Sequence, residues 1–249
     1  MPRYTCEFRF YEELNDYLPP EQRKRTIARE LTGTPSVKDA IESLGVPHTE
    51  IDLILVDGRS VRFNRRLRGG ERIAVYPEFE RFDISPLHRL RPKPLREPRF
   101  VADVHLGTLA RFLRLLGFDT CYGNGVDDAE LAAITSREKR ILLTRDVGLL
   151  KRKAVVRGQW LRSRDPEQQV TEIVEALHLK RLLRPFTRCM ACNGDLVAIA
   201  RNDVTDRVPA RVFRRFRSFK ECKECQRVYW RGTHFVRLKR LVADLRRQN

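Results

Sequence analysis

The first 80 residues combine strand-like alternation with one helical pattern. Apolar and polar residues alternate from Tyr4 to Phe10, which predicts a strand with one buried face. A helical pattern follows from Ser36 to Leu44, with Ser36 as the N-cap and Gly45 as a stop signal. Further strands are predicted at Ile51–Val56, Arg59–Phe63 and Arg72–Tyr76, the first two joined by an Asp-Gly turn. We therefore expect residues 1–82 to form a small α+β domain.

The central part of the chain alternates short buried strands with helical patterns. Residues Phe100–Ala102 and Ile141–Thr144 are uninterrupted apolar runs, typical of strands buried on both faces of a parallel sheet. Apolar residues recur at helical spacing from Leu106 to Leu116, and a second helical pattern extends from Asp128 to Lys139. A third apolar run, Phe118–Tyr122, lies between the two helices. This alternation predicts βαβ units and an α/β fold.

Proline and cysteine positions indicate the domain boundaries. Residues 84–99 contain four prolines and no hydrophobic period, so we predict a linker at 83–98. The α/β domain then covers 99–183. Two Cys-x-x-Cys pairs with short strand-like segments follow, and a basic helix from Val236 to Arg247 ends the chain. Residues 184–249 are therefore predicted to form a third domain.

Composition is that of a globular protein. Hydrophobic residues make up 41% of the 249 residues, and no apolar run approaches the roughly 20 residues that cross a bilayer. Charged residues interrupt the N-terminus early, so no signal-peptide pattern is visible. We expect a cytoplasmic protein with no membrane partner.

The positive charge is concentrated near the C-terminus. The chain has a formal net charge of +17, and residues 181–249 hold 18 Lys and Arg against 6 Asp and Glu, or +12. A concentrated basic region indicates a polyanion partner, most often a nucleic acid. The alternative is a solvated basic surface without a ligand.

Four of the six cysteines form two Cys-x-x-Cys pairs: Cys189, Cys192, Cys222 and Cys225. Four thiolates on two tight turns match tetrahedral Zn²⁺, and the filled coordination sphere indicates a structural metal. Two disulfides are the alternative, which a reducing compartment disfavours. Cys6 and Cys121 stand alone in strand-like runs and are predicted to be core residues.

Arginines alternate with aromatic residues between the two cysteine pairs. The segment Arg211–Lys220 suits phosphate contact combined with base stacking. The alternative, which does not exclude the first, is that the phenylalanines pack the small domain while the arginines are solvated. The candidate RNA contacts in this domain are Arg214, Arg215, Arg217 and Arg231.

Acidic residues follow the two buried strands of the central domain. Asp103 comes directly after the first strand, and Asp146 comes two residues after the second. The carboxyl ends of parallel strands meet at one edge of a sheet, where ligands bind. Strands disfavour aspartate, which points to a functional Asp103, whereas Asp146 could also be a helix N-cap. Oxygen ligands favour Mg²⁺ or Mn²⁺, which we predict at Asp103 and Asp146.

The acidic cluster Asp127–Glu130 offers a further ligand. Asp127 and Glu130 fit a capping box at the start of a helix, which would explain Glu130 without any function. Asp128 is therefore the preferred third acid by a small margin, with Glu130 as the alternative. The catalytic candidates are Asp103, Asp128, Asp146 and Glu130.

The N-terminal domain resembles a β-grasp. Its Asp-Gly and Gly-Gly-Glu turns are similar to those of the ubiquitin-like sulfur carriers. Those carriers end in a flexible Gly-Gly tail, whereas this domain ends at Tyr76-Pro77-Glu78 and continues into more protein. A sulfur-carrier function is thus a weak hypothesis, and a module that binds a protein partner is the favoured one.

From Arg99 to Phe235 the chain resembles the Mut-seven C-terminal RNase domain family, which is PIN-like in fold with a fused zinc ribbon. The matching segments are Phe100–Gly107, Leu109–Gly117, Leu142–Asp146, Arg188–Gly194, Arg207–Pro209 and Cys222–His234. The resemblance implies a PIN-like parallel sheet with flanking helices and a metal-dependent ribonuclease. PIN-like nucleases gather three or four acids around divalent metal, which maps onto Asp103, Asp128 or Glu130, and Asp146.

We therefore favour a ribonuclease that hydrolyses RNA at a carboxylate cluster and holds RNA with a basic zinc ribbon. Further phosphate contacts are predicted at Arg145, Lys151, Arg152 and Lys153. The alternative is a non-catalytic RNA-binding adaptor, in which the ribbon holds RNA and the β-grasp domain binds a protein partner. Endonuclease and exonuclease action are both compatible with this hypothesis, and DNA is the alternative nucleic acid to RNA.

Overall fold

A computed structural model describes residues 3–77 and 97–247 of the chain. The chain divides into two compact units, one built from Met1–Arg96 with Asp146–Trp160 and the other from Glu97–Arg145 with Leu161–Asn249. Almost all of the predicted linker at 83–98 lies outside the described residues. The domain boundaries inferred from the sequence therefore remain predictions.

The first unit is built on a five-stranded mixed sheet. Its strands and helix are β1 (Arg3–Phe10), β2 (Thr26–Thr32), α1 (Val37–Ser43), β3 (Leu53–Val56), β4 (Arg59–Ser60) and β5 (Arg72–Tyr76). The spatial order is β2-β1-β5-β3-β4, with β1 parallel to β5 and the other pairs antiparallel. The predicted β-grasp fold is confirmed.

Local sequence explains the elements of this unit. Alternation in β1 turns Cys6, Phe8 and Phe10 into the core, where each is at most 1% exposed. At the start of α1, the Ser36 side chain accepts a hydrogen bond from the Asp39 backbone and the Asp39 carboxylate bonds back, a complete capping box. These predictions from the sequence are confirmed.

The hairpin after Asp57-Gly58 is shorter than predicted. We expected a returning strand from Arg59 to Phe63, but β4 ends at Ser60. The chain then turns, with the Arg65 backbone amide donating to Arg62 O at 3.1 Å. That local hydrogen bond replaces the strand ladder, which explains the difference.

The first unit also contains Asp146–Trp160, which lies far along the chain. This segment includes α4 (Val147–Leu150) and β9 (Gly158–Trp160). Within the unit, Lys151 Nζ donates to Glu42 O at 3.1 Å, and the Trp160 backbone amide donates to Glu50 Oε1 at 2.8 Å. Long-range hydrogen bonds of this kind attach the segment to the β-grasp core.

The second unit contains a parallel sheet with helices. Its elements before the ribbon are β6 (Arg99–Ala102), α2 (Gly107–Leu115), β7 (Asp119–Cys121), α3 (Asp128–Glu138), β8 (Ile141–Thr144) and α5 (Pro166–Ala176). Strand β6 pairs in parallel with both β7 and β8. Every residue of β8 is buried, as expected for a strand covered on both faces. The predicted parallel sheet is confirmed.

Gly117 ends α2 for a steric reason. Its φ of +97° is one that side chains other than glycine rarely adopt, and a Cβ there would lie 2.3 Å from Arg184 O. The chain can therefore reverse directly into β7. The predicted stop at this glycine is confirmed.

The C-terminal part of the second unit is a small ribbon followed by a helix. Its elements are β10 (Leu196–Ile199), α6 (Ala210–Arg215), β11 (Phe219–Cys222), β12 (Val228–Trp230) and α7 (Thr233–Arg247). The strands are antiparallel in the order β10-β11-β12, and Val204, Val208, Val212 and Phe219 form their buried core. Among the helices that the structure describes, none has the length and apolar character needed to span a bilayer.

Candidate functional site

Asp103 stands where β6 ends, at an edge shared with β8. Ala102 pairs with Leu143, and the Asp103 backbone amide continues the ladder by donating to Leu143 O at 3.0 Å. Its carboxylate is half-buried and is held on both oxygens. Oδ1 accepts from the Val104 backbone amide at 2.6 Å, and Oδ2 accepts from Thr144 Oγ1 at 2.7 Å. The side chain is therefore fixed in orientation before any ligand arrives.

Tyr122 supports the turn that follows Asp103. Its hydroxyl lies 2.9 Å from Val104 O and 2.6 Å from Asn124 Oδ1. Gly107 makes room for it, because a Cβ at that position would lie 2.7 Å from Tyr122 Oη. This support was not predicted from the sequence, although the glycine at the start of a helix was a signal for close approach.

The acidic cluster lies at the N-terminus of α3. Asp127 is the N-cap, with Oδ1 accepting from the Glu130 backbone amide at 2.8 Å. The Glu130 carboxylate lies 3.4 Å from Arg137 Nη2, and Asp128 and Glu130 are both exposed. The predicted N-cap is confirmed, while the Glu130 side chain is engaged in an ion pair along the helix.

The residues after β8 are divided between the two units. Arg145 is exposed and ends a segment of the second unit, whereas Asp146 begins a segment of the first. Asp146 Oδ1 accepts from the Gly148 backbone amide at 2.7 Å and so caps α4, the structural role considered for it. Of the predicted phosphate contacts in that segment, Lys151 is bonded to Glu42 O, while Arg152 and Lys153 are exposed.

The four cysteines converge on one point. Their Sγ atoms all lie within 4.8 Å of one another, with Cys189 and Cys225 3.7 Å apart and Cys192 and Cys222 3.3 Å apart. A tetrahedron with metal–sulfur bonds of about 2.3 Å has edges of about 3.8 Å, so the arrangement fits Zn²⁺. Within residues 3–77 and 97–247, Asp103, Asp128 and Glu130 do not form such a group of three.

Two further features of the cysteine cluster suit a metal ligand set. Burial disfavours the Cys189 thiolate, but hydrogen bonds from Tyr229 Oη at 3.0 Å and from nearby backbone amides outweigh it and lower the pKa to about 6. Zinc binds the thiolate form, which Cys189 favours, whereas burial raises the pKa of the Cys192 and Cys222 thiols from the ordinary value. Gly194 packs tightly against the turn of the first cysteine pair, Cys189 and Cys192, which we call the first knuckle. A Cβ at Gly194 would lie 2.9 Å from Cys222 Sγ.

A charged cluster that was not predicted from the sequence surrounds Asp119 on β7. Arg140 Nη1 donates to Asp119 Oδ1 at 2.8 Å, Arg99 Nε donates to Oδ2 at 3.0 Å, and Asn193 Nδ2 donates to Oδ1 at 2.8 Å. Burial opposes ionisation of Asp119, but these hydrogen bonds outweigh it and lower the pKa to about 2. An aspartate inside a strand was the signal that could have identified it.

Arg114 connects α2 to the first knuckle. Its guanidinium is buried and donates to Thr120 O at 3.0 Å, Met190 O at 3.2 Å and Ala191 O at 2.8 Å. Burial lowers the pKa of this guanidinium from its ordinary value. The hydrogen bonds of Arg114 and the Asn193–Asp119 hydrogen bond connect the first knuckle to the parallel sheet. The ribbon is therefore an integral part of the second unit.

The arginines between the knuckles are exposed while the aromatic residues pack inward. Arg214, Arg215 and Arg217 are exposed, and Phe219 is only 4% exposed. The Arg215 guanidinium carbon lies 5.7 Å from the centre of the Phe216 ring. Arg231 is also exposed, 5.7 Å from the Phe235 ring. The packing interpretation is confirmed, and contact with phosphate remains a prediction.

Two segments of the chain match known family models. Residues 98–242 match the family model of the Mut7-C RNAse domain, and residues 3–83 match that of the Mut7-C ubiquitin domain. A human protein described as exonuclease mut-7 homolog is 35% identical over 108 residues. That match covers 41% of this chain and 12% of the human protein.

Solved structures of the small archaeal modifier protein 1 of Haloferax volcanii are also similar. The two structures are each 18% identical, with a TM-score of 0.25, and cover 30% of this chain and 99% and 97% of their own. The family model and the human relative indicate a nuclease-related function. The Mut7-C RNAse domain model matches residues 98–242, more than half of this chain, and the chain therefore belongs to the Mut7-C RNAse domain family.

Proposed function

We propose that this protein is a divalent-metal-dependent ribonuclease in which Asp103 is the principal carboxylate of the active site. The observation that supports this most directly is the fixed carboxylate of Asp103 at the end of β6, held by Val104 and Thr144. A side chain with both oxygens oriented in advance has little conformational entropy to lose when it binds an ion. Each oxygen still has a lone pair for a further contact.

Mg²⁺ or Mn²⁺ is the metal that suits this chemistry. Mg²⁺ is commonly bound through one or two carboxylates together with water and substrate phosphate, so one fixed aspartate is an adequate anchor. We assign Asp146 as a second carboxylate from its position two residues after β8. Asp128 stays the preferred third carboxylate with Glu130 as the alternative, because the place of Glu130 in the first turn of α3 has a structural explanation in helix capping.

In this proposal, Thr144 orients the metal-binding carboxylate, and the arginines bind phosphate. A metal held there would supply a water of lowered pKa and would stabilise negative charge on the phosphate. Thr144 keeps the Asp103 carboxylate in place, and the exposed Arg145 would contact a phosphate. The exposed arginines of the ribbon, Arg214, Arg215, Arg217 and Arg231, would supply affinity that falls as salt rises. Structural Zn²⁺ on the four cysteines would keep that surface folded.

The test is cleavage of end-labelled single-stranded RNA by the full chain, with and without Mn²⁺. The metal-free lanes use desalted, zinc-loaded protein, because EDTA would also compete for the zinc. Asp103→Asn should abolish Mn²⁺-dependent cleavage. Thr144→Val keeps the carboxylate but removes its orienting bond, and we expect a loss of about 10- to 100-fold. Asp203→Asn, an exposed acid of the ribbon, is the matched control for charge.

Intact but retarded RNA in every lane would refute the ribonuclease and favour the adaptor. Equal cleavage by Asp103→Asn and wild type would show that the catalytic site has been misplaced. If Thr144→Val cleaves as fast as wild type, the orientation of Asp103 is not what prepares the site.

A further inference from the structure

The second unit contains a cavity that the proposed nuclease site does not use. Its volume is about 830 Å³, within the range of roughly 300–1,000 Å³ typical of ligand pockets. It lies between α2, the ribbon strands and α7, and most of its lining is apolar. Exposed residues such as Ala198, Ser218 and Arg231 line its opening, so a ligand can enter from solvent.

Aromatic rings dominate the wall of this cavity. Phe186 and Phe235 lie with ring centres 4.5 Å apart at an angle of 33°, and Tyr229 and Trp230 of β12 also line the space. All four rings are half-buried, so each offers part of its surface to a ligand. Flat aromatic surfaces of this kind are what unpaired bases stack upon.

Phe186 is held in a strained backbone conformation by hydrogen bonds on both sides of its peptide. Its φ is +62°, which is uncommon for a bulky residue, and its backbone amide donates to Leu115 O at 2.8 Å. On the other side, Lys220 Nζ donates to Phe186 O at 2.7 Å. Strain of this kind persists where surrounding contacts enforce it, and it clusters at ligand sites. The wall is therefore formed before a ligand binds.

Cationic groups surround this apolar space. Arg231 is exposed, with its guanidinium carbon 5.7 Å from the Phe235 ring, and Arg188 and Lys220 also line the cavity. Residues 181–249 carry +12, so the surrounding surface attracts a polyanion. An aromatic wall with a cationic mouth matches the two parts of a nucleotide, a flat base and a phosphate.

We propose that this cavity binds an unpaired nucleobase of a single-stranded RNA, with the adjoining phosphate on Arg231. The base stacks on Trp230 and Phe235, next to the ring of Phe186. This rests on the proposed function only in taking single-stranded RNA as the ligand. It adds a base-binding subsite, separate from Asp103, and implies a preference for unpaired RNA because a paired base cannot enter.

The test compares binding of a labelled 12-nucleotide oligouridylate with that of an abasic oligonucleotide of the same length and charge. Full-length, zinc-loaded protein is used without Mn²⁺, so that no cleavage occurs. Wild type should bind the intact oligonucleotide about 5- to 150-fold more tightly, the range expected when one or more bases lose a stacking partner. Trp230→Leu and Phe235→Leu should each remove most of that difference and leave binding of the abasic oligonucleotide unchanged.

Phe213→Leu is the matched control. Phe213 belongs to the same ribbon and lies 4.1 Å from the Arg201 guanidinium carbon, but it does not line the cavity. It should keep the full preference for intact RNA. Bound zinc is measured for each variant, because a variant without zinc has a ribbon that failed to fold. If Trp230→Leu fails to fold, Phe235→Leu on α7 still provides the test.

Equal binding of intact and abasic oligonucleotides by wild type would overturn the proposal. The same holds if Phe213→Leu loses as much preference as the cavity variants, or if an apolar peptide fills the cavity and does not compete with RNA. Cleavage is measured separately with Mn²⁺. Base-dependent binding without cleavage would refute the nuclease but support the base-binding subsite. Asp103-dependent cleavage without base preference would support the nuclease but refute the subsite.

Discussion

Asp119 offers a quantitative test of how the parallel sheet holds the first zinc knuckle. Its side chain is only 20% exposed and receives hydrogen bonds from Arg140, Arg99 and Asn193. Those bonds favour the ionised form, so the folded protein holds the pKa at about 2 against an ordinary value of 3.8. The perturbation is Asp119→Asn, which keeps the shape and removes the charge.

The magnitude follows from linkage between protonation and folding. A difference between 3.8 and about 2, at about 1.36 kcal/mol per pH unit, corresponds to about 2 kcal/mol of stability. Because the pKa is lowered in the folded state, this stability is fully present above pH 3.8 and is lost as the pH falls towards 2. The free energies of unfolding of wild type and Asp119→Asn should therefore differ by about 2 kcal/mol at pH 7 and by about half of that at pH 3, because the folded-state pKa of about 2 lies below pH 3.

The assay is urea unfolding followed by the fluorescence of Trp230, in a Trp160→Phe background, from pH 7 down to pH 3. Bound zinc is measured for each protein at each pH, and variants are compared with wild type only at equal zinc content. Asp195→Asn is the control, since its carboxylate is 68% exposed beside the same knuckle and should change stability by less than about 0.5 kcal/mol. A deficit in Asp119→Asn that stays constant with pH would refute the electrostatic explanation.

Two further predictions concern the ribbon. Removing zinc should unfold the ribbon but not the β-grasp sheet, because structural zinc contributes about 10–16 kcal/mol in small zinc domains. The measurement is the fluorescence spectrum of Trp230 before and after chelation, and an unchanged spectrum would contradict the prediction. Arg114→Met should destabilise the zinc-loaded protein by about 2–4 kcal/mol, since three carbonyl oxygens lose a buried donor. In urea unfolding, Arg111→Met on the exposed face of α2 is its control, and an equal cost for both would show that Arg114 does not anchor the knuckle.

Local features of the fold could be predicted because neighbouring residues produce them. The Ser36 capping box and the Asp127 N-cap each depend on groups within a few residues of one another. Burial on both faces of β8 likewise appears as an uninterrupted apolar run. The return strand after Asp57 was predicted too long, because a turn at Arg62–Arg65 replaces the strand pairing there. The alternation of apolar and polar residues does not indicate this turn.

The chemistry-bearing contacts are less accessible to sequence reasoning. Asp119 is 21 residues from Arg140 and 74 from Asn193, so no spacing rule connects them. The strained Phe186 meets Phe235 across a similar separation. Such pairs depend on how whole elements are placed, and a pattern read along one element contains no information about its neighbours.

The sequence by itself determined the β-grasp, the parallel sheet, the four cysteines and an aspartate at the end of a buried strand. Periodicity and turn chemistry reflect the geometry of single elements, which is why these were available. Only the tertiary structure decided that Thr144 orients Asp103, that Asp146–Trp160 packs within the N-terminal unit, and that the aromatic cavity exists. The physical reason is that a hydrogen bond or a cavity wall requires atoms within a few ångströms, and folding alone sets those distances between remote residues.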